Sequence, residues 1–410
     1  RLSEEKDLKA IRLATCELDK RKMTHEGTFS LVPDEPVNPL PHSVNRLPLY
    51  GMTSWGDIFM PRQALALTTF ARLVRNLENQ TRENIHPDLM IALQICLSLT
   101  LDRLADFNSS LCVLNSVGGR GVVHTFGRQA LPMVWDFMET NPFNDVGANW
   151  DAGIEAFEKT INKEVVLDRM ATVQCVSATS SPLPENAVQV LVTDPPYYDM
   201  ISYADLSDFF YVWLRRTLID LNHKEWSSIT TPKAQEIIVE PTQVENVGVK
   251  NTAFYLNNMT KAMTENRRIL IHNGIAVVVF AHKSTSGWEA QLQSMIDAGW
   301  IITGSWPIDT ERQARVSAIG QARLGSSVHL VCRPREYSDG SLRADEIGDW
   351  RDVLAELPKR IHEWMPRLAE EGVVGADAIF ACLGPALEIY SRYSRVEKAS
   401  GEVVVLKEYL

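Results

Sequence analysis

The chain has 410 residues, 45% of them hydrophobic and 23% charged, enough to bury a sizeable core in roughly two or three units. Its net charge of -11 argues against a protein that coats nucleic acid through bulk electrostatics, while leaving room for a local basic groove. Six cysteines and nine histidines are scattered with no metal-ligand spacing, and no apolar run approaches the roughly 18 residues of a membrane span, so free thiols, no metal and a cytoplasmic location are expected.

Residues 1–50 read as a charged helix followed by a proline-rich arm, because fixed proline φ angles and missing amide donors across 33–48 disfavour regular structure. Residues 51–170 read as mainly helical. Pro61 suits a first helical position, 62–77 and 88–104 carry apolar residues at helical spacing, and further helices are expected around 132–138 and 150–161. Within this region, 112–126 holds two short apolar runs around Gly118-Gly119-Arg120-Gly121. A nucleotide-binding loop needs a helix after it, whereas Val122-Val123-His124-Thr125-Phe126 is strand-like, so a short hairpin is expected.

From 171 to 335 the pattern alternates. Short strands are expected at 173–178, 188–193, 275–281, 300–306 and 327–333, with helices at 205–218, 254–271 and 288–298. Uninterrupted apolar strands separated by helices indicate an α/β sheet covered on both faces, its last two strands free to pair antiparallel. Residues 336–410 read as a helical extension, through 349–368 and 376–393.

In such a sheet, ligands sit beyond the carboxyl ends of the strands. Asp194-Pro195-Pro196-Tyr197 follows the expected strand 188–193 directly. An exocyclic amine is a poor nucleophile because its lone pair is delocalised into the ring. The Asp194 carboxylate and the Pro195 carbonyl can accept its two N–H hydrogens and aim that lone pair outward. The prolines, Pro195 and Pro196, stiffen the loop and remove competing amide donors. Tyr197 offers a face on which an unstacked base can lie, with Tyr198 as a second surface. An Asp-Pro turn after a strand is the structural alternative. No cysteine lies nearby, which counts against the covalent chemistry of cytosine ring-carbon methylation. His282 and Lys283 follow the strand 275–281 and should share its edge with Asp194, where they either contact phosphate or base or form an ordinary solvated loop. Arg215-Arg216, Arg267-Arg268 and the Arg312, Arg315, Arg323 series are the other basic groups, the last either a phosphate-contacting loop or an ordinary solvated face. Trp306-Pro307 reads as packing.

The run from Val192 through Asp199, followed by Ser202-Tyr203-Ala204-Asp205-Leu206-Ser207-Asp208-Phe209-Phe210-Tyr211-Val212-Trp213-Leu214-Arg215-Arg216, closely resembles the large adenine-specific DNA methylases encoded in prokaryotic anti-phage defence regions. Three further stretches are similar to the same family: Phe126-Gly127-Arg128-Gln129-Ala130-Leu131-Pro132-Met133-Val134-Trp135-Asp136-Phe137, Val279-Phe280-Ala281-His282-Lys283 and Gly384-Pro385-Ala386-Leu387-Glu388. The resemblance implies a Rossmann-like methyltransferase sheet with helical additions at both ends, and a catalytic motif at Asp194, Pro195, Pro196 and Tyr197. It implies S-adenosyl-L-methionine as cofactor and duplex DNA with a flipped adenine as partner, in restriction-like defence.

The family's glycine-rich Asp-Pro-Phe-x-Gly-Gly-Gly type loop for the cofactor has no counterpart here, and the chain begins at Arg1. The expectation is therefore a carboxyl-terminal half with its first sheet strands missing, completed by an amino-terminal half or a companion subunit, and binding cofactor poorly alone. RNA as substrate, cytosine N4 as target, and a non-catalytic nucleic-acid-binding subunit remain open alternatives.

Overall fold

The computed structural model describes residues 4–39, 45–80, 85–115, 121–145, 147–164, 171–244, 247–282, 284–309, 326–337, 339–373 and 376–409. The chain divides into two compact units, Arg1–Thr172 with Ser202–Lys233, and Val173–Ile201 with Ala234–Leu410. This partition differs from the four consecutive regions expected from the sequence: the helix after the acidic motif joins the amino-terminal helices, and the carboxyl-terminal extension joins the sheet.

The first unit contains α1 (Glu5–Met23), α2 (Pro61–Arg75), the one-turn α3 (Leu77–Gln80), α4 (Pro87–Asp106), α5 (Trp150–Glu164), α6 (Tyr203–Leu218) and the one-turn α7 (His223–Trp226). Pro61 and Pro87 both stand at helix starts, where a missing amide costs nothing. The core is aromatic, with Trp213 edge-on to Phe59 at 5.3 Å and Phe209 tilted against Phe59 at 5.9 Å. Each such ring, fully buried, contributes roughly 1.5–3 kcal/mol by leaving water.

The passage expected as a proline-rich linker or surface arm is pinned in its described part. The Trp55 amide donates to the Glu35 carbonyl at 3.1 Å and the Gly56 amide to the Pro33 carbonyl at 2.7 Å. Glu35 itself is buried, and its Oε1 accepts from Arg215 at 2.9 Å and Arg216 at 2.7 Å. The expected hairpin forms, β1 (Val113–Leu114) pairing antiparallel with β2 (Val122–Val123), while Gly118, Gly119 and Arg120 lie outside the described residues. The expected helix at 132–138 does not form. The Leu131 carbonyl accepts from Arg46, and the Met138 amide donates to the Cys112 carbonyl, so this segment's ends are tied to other segments instead of to a helical ladder.

The second unit is built on a four-stranded sheet of order β3 (Val188–Thr193), β6 (Leu270–Phe280), β8 (Ser326–Pro334) and β7 (Trp300–Asp309). β3 and β6 are parallel, with Thr193 opposite Val278; β8 runs antiparallel to both its neighbours, so the strands expected at 300–306 and 327–333 take the antiparallel pairing that the sequence left open to them. Beside the sheet are the hairpin of β4 (Glu240–Val244) and β5 (Gly248–Lys250), and the parallel pair β9 (Ile347–Asp349) and β10 (Arg395–Glu397). Helices α8 (Thr252–Ile269), α9 (Thr285–Asp297), α10 (Trp350–Glu370), α11 (Ala376–Ser391) and the short α12 (Leu406–Tyr409) complete it.

Alternate residues of β6 (Ala276, Val278, Phe280) form one core cluster with Tyr255, Met259 and Met263 of α8 and Leu292, Met295 and Ile296 of α9. Two expectations fail here. Residues 173–178 form no strand; Val173 is 92% exposed and the segment has no ladder partner among the described residues. The sheet is also not covered on both faces at β3, where Leu191 packs on the core but Val190 and Val192 are 60% and 68% exposed. No helix among the described residues is long and apolar enough to cross a membrane.

Candidate functional site

Because β3 and β6 are parallel neighbours in register, the residues after Thr193 and after Phe280 emerge at the same edge of the sheet. The first of these is Asp194, which is exposed; Pro195 after it is buried, and Pro196 and Tyr197 are half-buried. The loop then folds back sharply. The Tyr198 amide donates to the Pro196 carbonyl at 3.0 Å and the Met200 amide to the Tyr197 carbonyl at 3.0 Å. Tyr198 has φ +53°, the left-handed region that a bulky residue occupies only when its surroundings hold it there.

Those surroundings are visible. The Tyr198 carbonyl accepts from the Val239 amide at 2.9 Å, its hydroxyl pairs with Thr252 Oγ1 at 2.7 Å, and its ring meets Tyr255 edge-on at 5.0 Å. The Tyr255 hydroxyl donates to Gln291 Oε1 at 2.8 Å and reaches the Pro196 carbonyl at 3.3 Å. Burial pushes the Tyr255 phenol well above its ordinary range, so it remains a donor. The Pro196 carbonyl is thus occupied. Among the described residues, neither the Asp194 carboxylate nor the Pro195 carbonyl has a hydrogen-bond partner.

Tyr197 stands edge-on to Phe280, centroids 5.5 Å apart, at the margin of the core. Tyr198 does not provide the second stacking surface expected for it, because the residue is only 7% exposed and its ring is committed to the packing just described. His282 is likewise not an open contact for phosphate or base. Its side chain is 3% exposed, and its Nε2 lies 2.8 Å from Asp199 Oδ1. Its Nδ1 accepts from the Ser284 amide at 3.1 Å, so Nε2 is the donor toward Asp199. Lys283 lies outside the described residues, as do Arg312, Arg315 and Arg323.

The other basic pairs are structural. Arg215 and Arg216 are buried on Glu35. Arg267 pairs with Glu336 and donates to the Ala298 carbonyl, while Arg268 holds Glu265 and the carbonyls of Ser181 and Leu183. Trp306, expected as packing, meets Trp364 edge-on at 6.2 Å but remains 37% exposed. Asp199, Ser284, Thr252, Tyr255 and Gln291 had no role assigned from the sequence. Only Asp199, inside the motif run, offered a signal; Thr252 and Tyr255 reach the loop from partners 54 and 59 residues away in sequence, Gln291 and Ser284 act through Tyr255 and His282, and no periodicity reports that.

The chain matches no protein-family model, no curated protein and no solved structure.

Proposed function

We propose that the chain carries the amine-holding half of an S-adenosylmethionine-dependent methyltransferase acting on N6 of adenine in DNA. The observation that carries this reading is the wiring of the Asp194 loop. Its internal hydrogen bonds use the Pro196 and Tyr197 carbonyls and leave the Asp194 carboxylate and Pro195 carbonyl without partners among the described residues. These two acceptors would take the two N–H hydrogens of an extruded base's amino group, drawing the nitrogen toward tetrahedral geometry with its lone pair turned outward. The half-buried Tyr197 ring would support the flat base. The sheet order, with the reversed β8 inserted between β6 and β7, agrees with the later half of a Rossmann-like methyltransferase sheet.

The residues present do not complete a cradle for S-adenosylmethionine. The sequence has no Asp-Pro-Phe-x-Gly-Gly-Gly type loop, and among the described residues β3, which leads into Asp194, ends the sheet with β6 as its one ladder partner. In this reading the chain's own residues bind and orient the amine, and further sheet at β3 supplies the cofactor's site. A non-catalytic nucleic-acid-binding subunit is the second reading, favoured by the same features.

Transfer of a labelled methyl group from S-adenosylmethionine to DNA and to RNA, with any companion subunit present, tests the proposal. Incorporation into adenine of DNA is expected, falling at least about 100-fold in Asp194→Ala, since two positioned acceptors act together. Label only in RNA would transfer the reading to RNA, and activity undiminished in Asp194→Ala would end it.

A further inference from the structure

We infer that His282 is a positioning residue for the acidic loop, holding Asp199 and thereby the turn that presents Asp194. The inference rests on the amine-holding reading for its functional consequence, but its structural content stands apart from it.

The imidazole bridges two elements. On one side, Ser284 donates its amide to Nδ1 at 3.1 Å, while Ser284 Oγ lies 3.0 Å from the same nitrogen and accepts the Gly287 amide at 3.2 Å, capping α9. On the other, Nε2 donates to Asp199 Oδ1 at 2.8 Å. The backbone of His282 is fixed as well, its carbonyl accepting from the Trp288 indole at 3.0 Å. Space for the ring depends on a glycine, because a Cβ at Gly287 would collide with the imidazole. The ring also stacks on Phe280 at 6.2 Å and meets Tyr198 edge-on at 5.6 Å.

A buried imidazole with both nitrogens engaged has no lone pair or proton left for a substrate. What it holds is informative. Asp199 is about half exposed, its side chain at 53%, so this carboxylate needs no partner to satisfy it; water would do so. The bond therefore serves geometry. It ties the residue immediately after the left-handed Tyr198 to the capped amino end of α9. Asp194 is thus set from both sides, by β3 before it and by the turn closed on His282 after it.

Peptide hydrogen exchange across 194–201 and a double-substitution cycle test this in the full chain. In His282→Phe, which keeps the ring but removes the donor, the Tyr198 and Met200 amides should exchange at least about tenfold faster without loss of the global fold. His282→Gln restores a donor and should return exchange toward the unsubstituted rate. Asp199→Ala should match the Phe variant, and the combination should be no faster than either alone, as for residues acting through one bond. In methyl transfer, kcat should fall about 10- to 100-fold in His282→Phe with KM within about twofold, because orientation and not binding is lost. Unchanged exchange in folded His282→Phe, additive effects in the cycle, or no recovery with Gln would overturn the inference. Should His282→Phe fail to fold, Asp199→Ala, at a surface carboxylate, decides by the same exchange measurement. A chain that never transfers methyl groups would end the proposed function while the exchange result still judged this one.

Discussion

At the scale of single residues, chemistry and stability draw on the same side chains in opposite ways. Asp194 is an exposed acid with its acceptors open, whereas Asp102 on α4 is a buried acid with Oδ1 unpartnered. Burial, with a smaller push from the Asp106 charge, holds the Asp102 carboxyl well above its ordinary value of 3.8. In the unfolded chain it ionises near 3.8. Above that pH the folded state binds the extra proton, so stability falls as pH rises until the folded group also ionises. Asp102→Asn carries no such liability. Its melting temperature relative to the unsubstituted chain should therefore climb steadily between about pH 4 and pH 7. A difference that stays flat across that range in calorimetric scans would contradict the buried-acid account.

At the scale of elements, the resemblance motif Gly384-Pro385 acquires a structural reason. Pro385 lies inside α11 and has no amide to offer the Ala381 carbonyl four residues earlier. Ser305 of β7 takes that place. Its hydroxyl donates to the Ala381 carbonyl at 2.9 Å and accepts the Gly384 amide at 2.8 Å. The helix comes so close that a Cβ at Gly384 would collide with the main chain of Gly304 and Ser305. Gly384→Ala should cost about 1–3 kcal/mol by overpacking against backbone, and Ser305→Ala a similar amount by stranding two buried groups. Chemical denaturation with unchanged m-value would register both, and a neutral Gly384→Ala would mean that the approach is looser than described.

At the scale of the whole molecule, the consequential feature is the β3 edge. Among the described residues β3 ends the sheet, with a ladder partner only in β6, and its face carries Val190 and Val192 at 60% and 68% exposure. If the cofactor's site belongs to further sheet at β3, the isolated 410-residue chain should bind S-adenosylmethionine more weakly than micromolar in titration calorimetry. Micromolar affinity would show that this chain makes its own cradle. The partition into units adds that Ser202–Lys233, though adjacent in sequence to the acidic loop, belongs with the helices. Its Asp208 is held by Lys233 at 2.6 Å and by the Thr231 amide at 2.8 Å, and its arginines close on Glu35.

Sequence alone determined the elements whose signal is local: the helix beginning at Pro61, the helix over 88–104, the apolar strands at 188–193, 275–281, 300–306 and 327–333, and the placement of Asp194 and His282 at one sheet edge. These depend on periodicity, proline position and strand order, which short stretches encode. Only the tertiary structure decided which polar groups are used up. Tyr198 and His282 read as contacts for a substrate because tyrosine and histidine are versatile, yet burial and partners 54 and 83 residues distant commit them to holding the loop. The failed strand at 173–178 and the failed helix at 132–138 have the same origin, since a segment's own propensity is weak beside the long-range hydrogen bonds and packing that it gains or lacks.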